Sequence, residues 1–140
     1  MINNIQKLPD YELTNRIINA AIQVHKTLGP GFLEVAYEEA LCIEFDVLNI
    51  PYERQKEVTV LYREHPIVQH RLDLFVGGRV VVENKAIRDL EPIHLSIVRS
   101  YMKAVNVVSG LLFNFATMPL TVRRAYREPN GMDSEVWINQ

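Results

Sequence analysis

At 140 residues, 48% apolar and 23% charged, the chain has the size and composition of one small globular domain with a single core. No apolar run approaches the roughly 20 residues that span a membrane, and the opening MINNIQKLPDYEL has neither region of a signal peptide, so a cytoplasmic protein without a membrane partner is expected. A single cysteine excludes an internal disulfide and a Cys-rich zinc site, while a net charge of −2 excludes a uniformly basic nucleic-acid binder.

In chain order, Asp10-Tyr11-Glu12-Leu13 opens an amphipathic helix with Leu13, Ile17, Ala21, Val24 and Leu28 at helical spacing, stopped by Gly29-Pro30-Gly31. A second helix is expected from about Phe32 to Leu48, with Leu33, Tyr37, Leu41, Phe45 and Leu48 on its core face and Cys42 as a buried, inert thiol. Glu34, Glu38 and Glu39 lie near its start, where the helix dipole favours carboxylates; a first-turn role and a site role for Glu34 both stay open on spacing alone. Strand patterns follow at Glu57 to Tyr62, Val68 to Val76 and Arg79 to Lys85, giving three consecutive antiparallel strands. A helix from Pro92 to about Val105 has proline at its first position. Strands Val107 to Phe115 and Leu120 to Tyr126 complete the order ααβββαββ, a mixed α/β layer with a central sheet flanked by helices. Residues 1–127 read as one domain and 128–140 as a weakly ordered C-terminal tail unless Trp137 docks.

The segment RLDLFVGGRVVVENKA carries the chemistry. Asp73 stands near the end of one alternating run and Glu83-Asn84-Lys85 ends the next, across Gly77-Gly78. A two-residue loop would pair Asp73 with Val82 and turn Glu83 away. A three-residue connection, Gly77-Gly78-Arg79, or one bulge sets Asp73 opposite Glu83, with Lys85 on the same face. Directly opposed carboxylates have Cβ atoms only about 5 Å apart and repel unless a cation lies between them. Hard oxygen ligands suit Mg²⁺ or Mn²⁺, and Lys85 is placed to neutralise charge on a phosphate under attack. The bland alternative is a solvated pair on an edge strand, but the continuous run Val80-Val81-Val82 suits a strand buried on both faces.

This D-x(9)-E-x-K order, preceded by Gly31-Phe32-Leu33-Glu34-Val35-Ala36-Tyr37, resembles the GxxExxY proteins, a branch of the PD-(D/E)XK nuclease superfamily. The similarity runs from about Leu13 to about Arg124. It implies a restriction-endonuclease-like core and a phosphodiesterase site using one or two metals. Asp73 and Glu83 would match the metal-binding acids, with the Asn84 main-chain carbonyl as a further ligand, Lys85 the catalytic lysine and Glu34 the helix-borne supporting acid. Two positions depart from the pattern: Asn84 replaces an aliphatic residue, and its side chain is expected to affect packing on the opposite face. Ile97 stands where a glutamine is usual, in the middle of a helical face shared with His94 and Tyr101.

Candidates for contact with substrate are His94, Tyr101, Arg71 and Arg99. For His94, touching a phosphate and capping its own helix are both open. None of the four histidines has zinc-ligand spacing. Residues 1–50 hold three basic and seven acidic side chains and the rest twelve and ten, so a local basic rim and ordinary ion-paired faces are both consistent. Two function classes follow: a metal-dependent nuclease acting on a nucleic acid, DNA by preference, or a non-catalytic module binding a nucleic acid or protein on the same fold. Whether two chains pair as a homodimer is left open.

Overall fold

Strand-forming runs from Tyr52 onward, some alternating and some continuously apolar, build a single six-stranded sheet, and helices cover its two faces. The structure is a computed structural model that describes residues 8–127 and 133–139. The elements are α1 (Tyr11–Leu28), α2 (Glu34–Val47), β1 (Tyr52–Tyr62), β2 (His65–Val76), β3 (Val80–Lys85), α3 (Pro92–Ala104), β4 (Ser109–Asn114), β5 (Thr121–Arg127) and β6 (Asp133–Asn139). The strands lie in sequence order across the sheet. All neighbours are antiparallel except β3 and β4, which run parallel from Val80↔Ser109 to Lys85↔Asn114 and are joined by the α3 crossover.

The expected order ααβββαββ is present, followed by one further strand. Residues 133–139, inside the segment read from sequence as a tail, pair antiparallel with β5 from Arg127↔Asp133 to Thr121↔Asn139. The sheet is mixed, with α1 and α2 on one face and α3 on the other. Leu74, Val76, Val80, Val82, Leu111 and Phe113 pack toward α1 and α2. Phe75, Val81 and Leu112 alternate with them toward Leu95, Val98 and Met102 of α3. Burial on both faces explains why β3 and β4 read as unbroken apolar runs.

Two residues assigned to the core face of α2 are not core. Leu33 is 80% and Leu48 38% exposed. Leu33 precedes the helix in an extended conformation and Leu48 follows it, so neither continues the stripe of Tyr37, Leu41 and Phe45. Cys42 is buried, as its position in the helix implies. His25 is an interior histidine: its Nε2 lies 2.8 Å from the Thr117 carbonyl oxygen.

Close approach of α3 to the sheet depends on Gly110. A Cβ built there would sit 2.6 Å from Met102 Sδ and 2.7 Å from Val98 Cγ1, so a side chain at this position forces these two side chains, or the helix that carries them, to shift. Because overpacking a close-packed core typically costs about 1–3 kcal/mol, Gly110→Ala is expected to lower the free energy of unfolding by about that amount in urea titration. An unchanged midpoint would show that α3 is not held at this distance by the glycine.

Candidate active site

Asp73 lies at a dislocation of the sheet. The β1–β2 ladder pairs Arg54 with Leu74 and Lys56 with Leu72 but skips the position between, where Gln55 has φ +49°. Leu74 packs toward α1 and α2, whereas Leu72, two residues earlier, packs toward α3. Residues two apart in a regular strand share a face, so the pleat slips by one residue at Asp73. A local irregularity of this kind re-aims a side chain, and here it is the acid that is re-aimed.

On the other side, β2 meets β3 through the three-residue connection Gly77-Gly78-Arg79, with Val76↔Val80, Phe75↔Val81 and Leu74↔Val82 in register. Gly77 and Gly78 have φ of +63° and +67°, which glycine adopts without steric cost. The next pair would be Asp73 and Glu83, and there the backbone ladder ends. The Asp73 N–H donates to Glu83 Oε1 at 3.1 Å, and the Asn84 N–H donates to Asp73 Oδ2 at 3.0 Å. Each carboxylate therefore holds an amide of the opposite strand, and the two acids meet in the gap between the strands. The three-residue connection thus sets the register in which Asp73 follows opposite Glu83, and the Asp73 carboxylate reaches across to the Asn84 N–H of β3.

Burial raises the pKa of both acids. Glu83, 7% exposed, is pushed up to about 8, first by desolvation and then by the charge of Asp73, against the opposing pull of the Asp73 N–H and Lys85. Asp73 is raised by desolvation and by the charges of Glu38 and Glu34, while the Asn84 N–H and Lys85 lower it. Lys85 thus sits close enough to act electrostatically on both. Tyr101 on α3 is the other neighbour: its hydroxyl pKa is raised by burial and then by Glu83 and Asp73. Its ring also lies 5.7 Å from that of His70.

Three polar groups frame the end of β3. Glu34, the first residue of α2, accepts the Ala86 N–H at 3.2 Å through Oε2. Asn114 Oδ1 accepts the Ile87 N–H at 3.1 Å, and its Nδ2 donates to the Ile87 carbonyl at 2.9 Å. The Phe115 N–H donates to the Lys85 carbonyl at 2.8 Å, so the main chain of Lys85 faces β4 and that of Asn84, by alternation, faces the gap. Asn114 went unnoticed in the sequence, where its only signal is a polar residue interrupting Leu111-Leu112-Phe113 and Phe115.

The Asn84 side chain does not pack into an apolar layer as expected. It is 1% exposed, both its amide atoms lack a hydrogen-bond partner, and it lines a cleft of about 170 Å³ with Glu34, Val35, Glu38, Gln55 and Asp73. Leaving such a group unsatisfied costs roughly 1–3 kcal/mol.

The remaining candidates fall in different places. His94 caps its own helix, its Nδ1 accepting the Glu91 N–H at 2.8 Å. Arg71 is on the exposed β1–β2 hairpin, 3.4 Å from Glu57, its cross-strand partner. Arg99 is half-buried on α3 and two residues from both Ile97 and Tyr101, a spacing that places it on another side of the helix. Arg79 pairs with Asp10 at 3.4 Å and Arg88 with Asp89 at 3.7 Å. Arg71, Arg79 and Arg88 thus each pair with a neighbouring acid.

The donor set fits a hard divalent cation of the Mg²⁺ type. Among the described residues no three His, Cys, Asp or Glu side chains group closely enough to hold a metal by themselves. Mg²⁺ does not need such a cage, since it commonly takes one or two carboxylates and keeps water and phosphate oxygens for the rest. Two crowded carboxylates with raised pKa values and a main-chain carbonyl turned into the same gap match that requirement. A family model described as the PD-(D/E)XK nuclease superfamily matches residues 11–125. No curated protein and no solved structure matches the chain.

The raised acids carry a pH signature. A folded-state pKa above the unfolded value stabilises the fold fully below the unfolded pKa, and that stabilisation is lost as pH rises through the folded pKa. For Glu83 the window runs from 4.5 to about 8, and Asp73 acts in the same direction. The thermal midpoint of the metal-free protein is therefore expected to fall across that window, and to fall less in Glu83→Gln, which stays neutral. Equal slopes in the two proteins would contradict the buried-pair assignment.

Proposed function

The chain belongs to the PD-(D/E)XK nuclease superfamily, and on that premise we propose that it is a divalent-metal-dependent nuclease of the GxxExxY branch, hydrolysing phosphodiester bonds of DNA. The observation that carries the reading is the reciprocal hold of Asp73 and Glu83 on each other's strands, with Lys85 acting on both. A fold with no use for these acids gains nothing from burying two like charges side by side. The choice of DNA rests on the superfamily.

Asp73, Glu83 and the Asn84 carbonyl would hold Mg²⁺ or Mn²⁺, which when bound supplies Lewis-acid polarisation of a phosphate oxygen and a more acidic water. The chain's own groups do the rest. Lys85 places a positive charge where the phosphate oxygens gain negative charge as water adds and the sugar oxygen departs. Glu34 and Asn114 fix the chain immediately after Lys85, so the ammonium is presented from a held strand end. Tyr101 closes the α3 side with a hydroxyl that burial and the two acids keep protonated. His94 serves the site by anchoring the start of α3, with its Nδ1 already engaged.

The second reading, a binding module without catalysis, is favoured by Ile97. An isoleucine on the face shared with Tyr101 excludes water but cannot hydrogen-bond a phosphate or hold a nucleophilic water.

Asp73→Asn separates the readings from a structural role. Its amide oxygen can still accept the Asn84 N–H, so the variant is expected to melt no lower than the wild type while losing Mn²⁺ affinity and all cleavage of duplex, single-stranded and branched DNA. A variant that unfolds would make Asp73 a structural residue. Ile97→Gln is expected to raise cleavage, because one positioned hydrogen bond in a transition state is worth on the order of 10²-fold. If wild type and Ile97→Gln are equally inert on every nucleic acid tested with Mn²⁺, the binding module replaces the nuclease.

A further inference from the structure

The pleat slip at Asp73 is shared by the neighbouring strand. Arg54 and Lys56, two residues apart on β1, lie on opposite faces of the sheet. Arg54 reaches Glu38 of α2, whereas the Lys56 ammonium lies 5.7 Å from the centre of the Phe75 ring, which packs toward α3. Between them Gln55, with φ +49°, falls opposite Asp73 at the position the ladder skips. A left-handed backbone costs any residue with a side chain steric energy, and it persists where the surroundings hold it. Here the hold comes from α2. Glu38, 7% exposed, accepts from Gln55 Nε2 at 3.0 Å through Oε1, and from Arg54 Nε and Nη2 at 3.2 and 2.9 Å through Oε2. One buried carboxylate thus grips the two residues that open the slip and spends both oxygens on them.

We propose that Glu38 is a positioning residue of the acid site and acts through Gln55: by holding Gln55 in its left-handed turn, it keeps β1 from completing the ladder opposite Asp73. The Asp73 carboxylate is then left to engage β3, where it accepts the Asn84 N–H at 3.0 Å. If Gln55 were extended, the ladder would run on through Asp73, and Leu72 and Leu74 would share one face. Both leucines are fully buried, in clusters on opposite faces, so the slip also lets each reach its own layer. The charge on Glu38 is a separate influence, which raises the Asp73 pKa behind the larger effect of burial. Geometry and charge therefore have to be told apart. That Asp73 binds a metal rests on the nuclease reading; the grip of Glu38 on β1 stands on the hydrogen bonds and the skipped ladder position alone.

The test uses the full chain, with metal-free crystal structures of the variants beside Mn²⁺ titrations read by the electron paramagnetic resonance of the free ion. The β-branched side chain of Gln55→Val disfavours the left-handed backbone, so this variant is expected to close the ladder at Asp73 and to break the bond from the Asn84 N–H. Its Mn²⁺ affinity should fall on the order of tenfold, as when a residue supporting a metal ligand is lost. Glu38→Ala should do the same. Adding Gln55→Gly to Glu38→Ala should restore both the bond and the affinity, because glycine takes the left-handed turn without being held. Action of Glu38 through its charge, or through the packing of α2, predicts no such rescue. An intact Asn84–Asp73 bond with unchanged Mn²⁺ affinity in Gln55→Val, or failure of the glycine to rescue Glu38→Ala, would overturn the proposal. Gln55 is exposed, so Gln55→Val decides the matter if Glu38→Ala does not fold. The nuclease reading fails separately: a wild type that binds no Mn²⁺ removes the metal, while the crystal structures still show whether Glu38 and Gln55 keep the ladder open.

Discussion

Where β2 departs from β3, carboxylate oxygens of Asp73 and Glu83 take over the hydrogen bonds that backbone carbonyls would have accepted. That exchange lets the sheet open without orphaning either amide, and an open sheet end is what a cleft needs. Further strand pairing would place carbonyls where the acids now sit and close the gap. The pleat slip at Asp73, the unpaired Gln55 beside it and the two-sided apolar strand β3 all serve this one junction. Desolvation and mutual repulsion are tolerated because β3 is clamped to β4 along its whole length and cannot drift away from the charge.

The two sides of the junction are built to different standards of rigidity. β3 and β4 are buried on both faces, and Asn114 ties the chain leaving β3 back to the end of β4. The β1–β2 hairpin beyond Leu72 is mostly exposed, with Leu61, Tyr62 and Ile67 each more than half exposed. Lys85 and Glu83 thus sit on the fixed side, Asp73 at the boundary and Arg71 on the free arm, where an exposed pairing with Glu57 contributes little to stability.

Periodicity and turn chemistry made most of the fold legible. The helices were bounded by Gly29-Pro30-Gly31 and by Pro92, the strands by alternation, and the Gly-Gly connection carried the register on which the site depends. The less visible parts share a physical cause. Leu33 and Leu48 fit a helical stripe, but a stripe does not say where the helix ends. The pleat slip leaves no mark in composition, since Gln55 at positive φ is not a glycine. His94 and Arg99 occupy sensible helical positions, yet one capping bond and a two-residue offset decide where they point. Asn84 was readable as a departure from a pattern but not as a polar group facing a polar cleft, because alternation put it on a face assumed to be apolar.

The crossed arrangement of acids and amides also gives the site its own internal probes. The Asp73 N–H is bound to the Glu83 carboxylate and the Asn84 N–H to the Asp73 carboxylate, so each acid has a different residue's amide proton resting on it. Proton chemical shift and solvent-exchange rate at such an amide follow the charge on its acceptor. Two backbone resonances, read in one spectrum, would therefore distinguish ionisation of one acid from ionisation of the other, a separation that a coupled pair denies to any bulk titration.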